Sequence, residues 1–322
     1  MMNLTEKMRQ EAAQILEKKE AGLVMGWGEG DYYWQSPPLF VEEAAGAKEL
    51  AFTPFSVNNL ARYLLEELES CEKAALFVKG CDTRGINRLL QDNRIQREAV
   101  LLIGVPCRGL ADREKLQAAG YDGSLEKAER QGDSFVLTFK GGKTREVPAG
   151  EFLLDKCLEC RYPNPLVYDR LLDDEVSKPR ERDPMVRIRE VAKKSVDEKY
   201  AYWQEKLSRC IRCYACRNVC PACNCRECIF DQNVPRWVGK ANQLSEKQNY
   251  NIVRAFHIAG RCIDCGECQR ACPMDIPLME INRKIMQDLT ELYGEYEAGL
   301  NPDDVPPLGT YRAEDPAGFS ER

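Results

Sequence analysis

Histidine is nearly missing from this chain of 322 residues, which carries one, His257. That leaves little room for acid–base chemistry built on imidazole. His257 falls in an apolar helical run, residues 252–259, and reads as a packed core or edge residue. No Gly-x-Ser-x-Gly, P-loop or His-Glu-x-x-His pattern occurs, so neither hydrolysis nor phosphoryl transfer is supported, and no catalytic residue is assigned. The stretch Gly26-Trp27-Gly28-Glu29-Gly30-Asp31 lacks the full Gly-x-Gly-x-x-Gly spacing and precedes no clear helix. It reads as a loop and not as a dinucleotide site.

An excess of positive charge is also lacking. Lys and Arg number 46 against 52 Asp and Glu, for a net charge of −6, and phosphate-backbone affinity comes mainly from clustered Lys and Arg. Nucleic acid is not an expected partner. No stretch approaches the roughly 20 apolar residues of a bilayer-spanning helix, and residues 1–20 read as a charged helix instead of a signal peptide. The expectation is a cytoplasmic protein without membrane insertion.

Cysteine, by contrast, is abundant, at 16 residues, mostly in Cys-x-x-Cys groups. In a reducing compartment that spacing suits metal ligation better than cross-linking. Cys210, Cys213, Cys216 and Cys220 precede Pro221 with the same Cys-x2-Cys-x2-Cys-x3-Cys-Pro spacing that Cys262, Cys265, Cys268 and Cys272 have before Pro273. A loop with two residues between ligands can fold around a [4Fe–4S] cubane with three thiolates, and in two-cluster ferredoxins the fourth cysteine ligates the other cluster. One cluster is therefore assigned to Cys210, Cys213, Cys216 and Cys272, the other to Cys262, Cys265, Cys268 and Cys220. Each fourth cysteine is expected to start the next helix, with proline where a helix start tolerates the missing N–H. Paired zinc sites, the alternative, leave the third cysteine of each motif unexplained. Arg212 lies inside the first motif and Asp264 and Glu267 inside the second, which predicts the lower potential for the Cys262-containing centre.

Cys81 and Cys107 follow directly on apolar runs and should come close together; Cys157 and Cys160 form another Cys-x-x-Cys pair. These four make a possible third cluster or a zinc site, the alternative being buried apolar thiols. Cys223, Cys225 and Cys228 add thiols between the two motifs and are open to two readings, ligands of a fourth cluster or packing residues. Cys71 stands on an expected helix well before the strand that leads to Cys81.

Residues 4–20 read as an opening helix with Thr5 as a possible cap. Apolar runs at 23–26, 74–79 and 99–105 read as strands, with helices at 56–68 and 86–91, which gives a βαβ unit and a small, partly parallel sheet. Residues 134–147 alternate around Gly141-Gly142 as a hairpin. The expected fold is a small N-terminal α/β domain followed by a mostly helical ferredoxin-type domain. The division is 1–162, a charged linker and helix at 163–200, the ferredoxin part at 201–296 with an amphipathic helix over 277–293, and an extended Pro-rich tail at 297–322.

The stretches LFVKGCDTRGINRLL (77–91), AVLLIGVPCRGL (99–110), CLECRYPNPLVYD (157–169), CIRCYACRNVCPAC (210–223) and HIAGRCIDCGECQRACPMDIPL (257–278) together resemble the family of beta subunits of deazaflavin-reducing hydrogenases and formate dehydrogenases. Several members are similar to subunits found with heterodisulfide-reductase-type complexes. The resemblance implies an iron–sulfur electron-transfer subunit of a multi-subunit anaerobic oxidoreductase, with redox protein subunits as partners. It further implies an extra cluster, and often FAD, in the region corresponding to residues 1–160, although no flavin signature is read there. The alternative is a flavin-containing oxidoreductase that reduces a nicotinamide or deazaflavin carrier with its own FAD.

Overall fold

The computed structural model describes residues 3–177 and 183–309. Pro179 of the expected linker and residues 310–322 of the expected tail lie outside the described residues. The chain divides into two compact units, one of residues 1–83 and 95–182, the other of residues 84–94 and 183–322.

In the first unit the opening helix α1 (Leu4–Glu17) buries Met8, Ala12 and Ile15, spaced by one helical turn, and each large side chain contributes roughly 1.5–3 kcal/mol by leaving water. Its cap is Asn3 and not Thr5: the Asn3 side chain accepts the Glu6 N–H while the Glu6 carboxylate accepts the Asn3 N–H, a capping box. Thr5 is drawn away by a tertiary contact, its hydroxyl accepting the Phe52 N–H at 3.0 Å. Next come β1 (Leu23–Trp27), β2 (Pro38–Val41) and the single turn α2 (Leu64–Glu67), which continues a 3-10 turn at Ala61–Tyr63, so the helix expected over 56–68 begins only at Ala61. Strand β3 (Ala74–Val78), helix α3 (Gly80–Gln91) and strand β4 (Val100–Gly104) form the expected βαβ unit. The sheet order is β2-β1-β3-β4-β8, with β8 at Arg170–Leu171, parallel throughout except at β1–β2. Strands β1, β3 and β4 are buried along their whole length, which is why they read as unbroken apolar runs.

Beyond α4 (Arg113–Ala118), strands β5 (Leu125–Gln131), β6 (Ser134–Phe139) and β7 (Thr144–Pro148) make an antiparallel meander. Gly141 and Gly142 both hold positive φ in the β6–β7 turn, a conformation that suits glycine. Phe135 and Leu137 alternate into a core shared with Leu116, Leu153 and Cys157. The last helix of this unit is α5 (Asp155–Leu158), and the two-residue strand β8 (Arg170–Leu171) pairs with β4 inside the stretch read as a linker. Arg170 is anchored there by ion pairs to Glu11 and Glu20.

The second unit contains α6 (Val186–Ala192), α7 (Val196–Ser208), α8 (Ala215–Asn218), α9 (Leu244–His257), α10 (Glu267–Arg270) and α11 (Leu278–Tyr293). Glu280 of α11 accepts the Tyr202 hydroxyl at 2.7 Å and pairs with Arg187 at 3.3 Å, tying α7 and α6 to it. The core here is built around cysteines: Cys210, Cys216, Cys220, Cys262 and Cys268 are buried with Leu207, Phe230, Tyr250, Ile276 and Met279. Residues 84–91 of α3 carry the beginning of the expected tail. Arg84 donates to the Ala298 carbonyl at 2.8 Å, Asn87 to Gly299 and Leu300 at 3.1 Å, and Gln91 to Asn301 and Asp304 at 2.8 and 2.9 Å. Among the described residues no helix is long and apolar enough to cross a membrane.

Candidate iron–sulfur centres

The two cysteine motifs have the same backbone course. Cys210 follows α7 and Cys262 follows α9; α8 carries Cys216 and α10 carries Cys268. Arg212 and Asp264 both hold positive φ (55° and 54°), and so do Tyr214 and Gly266 (63° and 70°). Thus Cys213 and Cys265 each stand between two left-handed residues. Three of those four are not glycine, so the conformation costs energy and marks a site where surroundings over-determine the backbone. Its effect is to turn successive N–H groups inward, an anion-binding concavity. The Arg212 N–H donates to Cys210 Sγ at 3.4 Å, and the Asp264 N–H acts on Cys262 in the matching place.

The fourth cysteines differ from expectation in one respect. Cys220 and Cys272 follow the short helices α8 and α10, and Pro221 and Pro273 open turns instead of helices. Each short helix is already complete by then, and the proline sits in the turn that follows.

The first three cysteines of one motif meet the fourth of the other. Cys210, Cys213, Cys216 and Cys272 line one pocket of about 310 Å³, counting its space open to solvent, with Ile211, Tyr214, Tyr250 and Met274. Cys216 feels Cys210 and Cys272 electrostatically, whereas Cys262 and Cys265 both feel Cys268 and Cys220. Exposure separates the sets: Cys213 is exposed, while Cys262 and Cys268 are buried and Cys265 is half-buried. Burial pushes the Cys268 thiol up to about 11 and also raises Cys262, where Asp264 adds to the effect. Cys220 goes the other way, to about 6, chiefly because Cys223 hydrogen-bonds to it. Buried thiols of this kind become thiolates when a cation compensates them.

Sequence reasoning did not find two further groups, both on α9. The Tyr250 hydroxyl lies 3.3 Å from Cys216 Sγ. Arg254, 2 % exposed, donates from Nη2 to the Cys216 carbonyl at 2.9 Å and lies near Cys216, Cys220, Cys223 and Cys268. Its buried Nε has no hydrogen-bond partner, which fits a site where cluster sulfur supplies the acceptor. The only signal in the sequence is a Tyr and an Arg four residues apart on a helix, too common to single out. His257, at the end of α9, is exposed beside Phe230 and is not a core residue.

Charges within the motifs are paired. Asp264 binds Arg283 at 2.7 Å, Glu267 binds Arg270 at 2.8 Å and Arg212 lies 3.9 Å from Glu246. Counting motif charges therefore does not rank the two potentials, because the acids of the second motif are offset by Arg270 within it and Arg283 outside it.

In the first unit, Cys81 sits in the first turn of α3, Cys107 after β4, Cys157 in α5 and Cys160 just beyond it. Cys107 feels Cys157 and Cys160, and Cys81 feels Cys107, so the topology brings these four into one neighbourhood. Burial pushes Cys107 up to about 12. The loop after Cys160 closes over the set, the Pro163 carbonyl accepting the Cys107 N–H at 2.9 Å. A buried cation stands beside them: Lys79, 1 % exposed, pairs with Asp82 at 3.1 Å and sits 3.6 Å over the Trp27 ring. The glycine-rich segment expected to be a loop begins in β1, where Gly26 makes room for Leu50 and Phe77.

Cys223 neighbours Cys220, Cys228 faces Arg217 and Cys225 is exposed. Cys71 donates to the Glu67 carbonyl at 3.4 Å. Among the described residues no group of three or more His, Cys, Asp or Glu side chains is placed to hold a single metal ion.

Residues 206–276 match the family model described as a 4Fe-4S dicluster domain. Over nearly the whole chain the sequence is similar to the "F420-dependent formate dehydrogenase subunit beta" of Methanocaldococcus jannaschii, 27% identical across 91% of each chain. It is likewise similar to the "F420-dependent formate dehydrogenase 1 subunit beta" of Methanococcus maripaludis, 24% identical across 92% of this chain and 90% of that one. A chain of the F420-reducing [NiFe] hydrogenase complex from Methanosarcina barkeri matches 65% of this chain and 89% of its own, with a TM-score of 0.39 and 18% identity.

Proposed function

We propose that this chain, which belongs with the beta subunits of deazaflavin-dependent formate dehydrogenases and hydrogenases, is the iron–sulfur electron-transfer subunit of a multi-subunit oxidoreductase. A [4Fe–4S] cubane takes up and releases one electron at a time, at a potential set by charge, hydrogen bonds and exposure. What supports the reading is that Cys272 lines one pocket with Cys210, Cys213 and Cys216, while Cys220 neighbours Cys262 and Cys265, as crossed cluster ligation requires. Crossing holds both centres on one scaffold, so that electrons pass between them. The exposed Cys213 edge is the side from which a redox partner exchanges electrons with the first centre.

Cys81, Cys107, Cys157 and Cys160 hold a third cluster in this reading. Each cysteine serves as a thiolate ligand and none as an acid or base. Electrons pass through these centres between a partner subunit and a deazaflavin or nicotinamide-type carrier. A subunit that also binds FAD is the second reading, in which the flavin passes electrons between the clusters and the carrier. Iron, acid-labile sulfide and flavin are counted on anaerobically isolated protein. About eight irons assign two cubanes and about twelve assign three. A yellow chromophore released by acid adds the flavin. Protein without acid-labile sulfide would remove the whole proposal.

A further inference from the structure

Among the described buried arginines of the second unit, Arg254 is the one with no carboxylate partner. Arg212, Arg270 and Arg283 have Glu246, Glu267 and Asp264, whereas the partners of Arg254 are the Cys216 carbonyl and thiols of both sets: Cys216 of the first, Cys220 and Cys268 of the second. Burying a guanidinium without an anion is costly. The anions here are the thiolates themselves, and one cation is shared between two sets of them.

The helix that delivers it lies in the segment between the motifs. Tyr250 and Arg254 are four residues apart on α9 and so share one face; Tyr250 reaches Cys216 Sγ and Arg254 the backbone of the same residue. The aromatic packing of Tyr250 against Phe230 and Tyr214, at 4.7 and 5.2 Å between ring centroids, fixes that face. The segment 221–261 thus does more than connect two loops.

We propose that Arg254 is a positioning residue that sets the reduction potentials of both ferredoxin-type centres together, raising each and easing entry of the second electron. The inference rests on the ligand sets proposed above. Each centre gains one negative charge when a reduced redox partner protein gives it an electron, and no bond forms or breaks. Repulsion between two reduced centres opposes the second electron, and a buried cation facing both offsets it, with little screening by salt.

The test uses the full chain, prepared anaerobically, as wild type, R254M and R254K, with iron and sulfide counts and a dithionite titration followed by electron paramagnetic resonance. In R254M with full iron, the reduced-to-oxidised ratio at a fixed potential should fall roughly tenfold in both centres, a shift of about 59 mV for a one-electron couple. R254K, which keeps the charge, should stay near wild type. Unmoved waves in R254M, movement of only one wave, or R254K shifting as far as R254M overturns the proposal. Should R254M fail to load, R254K decides: full loading with wild-type waves supports the charge role, and equally poor loading leaves Arg254 a structural bracket and overturns it. Wild-type protein without acid-labile sulfide is a different result, which removes the ligand sets themselves.

Discussion

Gly80 lies so close to Tyr162 that a β-carbon at position 80 would stand 1.9 Å from the Tyr162 carbonyl oxygen. The same β-carbon would come within 2.7 Å of the Asn164 carbonyl oxygen. The loop that follows Cys160 is therefore seated on the turn that presents Cys81, and only glycine permits the contact.

Gly80→Ala should push that loop away, at a cost of about 1–3 kcal/mol. If Cys81, Cys107, Cys157 and Cys160 hold a cluster together, the variant loses about four irons and keeps the ferredoxin pair. Iron content and thermal unfolding check both halves. An unchanged iron count together with a lowered melting temperature would leave Gly80 a packing residue only.

Crossed ligation makes a distinctive double-mutant pattern. Cys272→Ala and Cys210→Ala should remove the same cluster, so that the double variant loses no more iron than either single one, about four. Pairing Cys272→Ala with Cys262→Ala should remove about eight. Uncrossed motifs would give the reverse assignment.

Arg283 and Asp264 pair at 2.7 Å with both side chains 10% exposed. Arg283→Leu leaves a buried carboxylate uncompensated beside Cys265 and should destabilise the protein by about 3 kcal/mol. Adding Asp264→Asn should recover most of that loss. Denaturant unfolding of the two single variants and the double variant measures the coupling.

Asp92 is the hub of a half-buried network. Burial acts to raise its pKa, but hydrogen bonds from Arg88, Arg261 and Asn224 outweigh burial and lower it; Arg261 stands at 2.6 Å and Asn224 at 2.7 Å. A carboxylate with a depressed folded pKa contributes stability that is fully present above its unfolded pKa, near 4. The contribution is lost as pH falls through the lower folded value. Asp92→Asn should cost about 2 kcal/mol at neutral pH and lessen the loss of stability below pH 4, as read from melting temperature against pH.

Covalent spacing was the most legible feature. The two Cys-x2-Cys-x2-Cys-x3-Cys-Pro motifs, the buried runs of β3 and β4 and the Gly141-Gly142 turn all act through local chemistry, and local chemistry is written in order along the chain. What escaped depends on distant partners. Strand β8 is two residues long and exists only because β4 offers it an edge; β5 reads as a polar stretch, LEKAERQ, with Leu125 and Ala128 its buried side chains. Thr5 and Asn3 are both capping residues, and only the contact of Thr5 with Phe52 decides between them. Arg254 has the same cause: nothing beside it on α9 announces the thiols it meets. The start of the Pro-rich stretch reads as extended from composition alone, and the carbonyls of residues 298–304 that accept hydrogen bonds from Arg84, Asn87 and Gln91 leave no mark in the local sequence.

Unequal shielding of the ligands gives the protein a direction of decay. Oxygen and its reduced products meet the Cys213 corner before they meet Cys262 or Cys268, so a sample ageing in air should bleach in two stages, the outer cube dissolving first while the inner one still answers to a reductant.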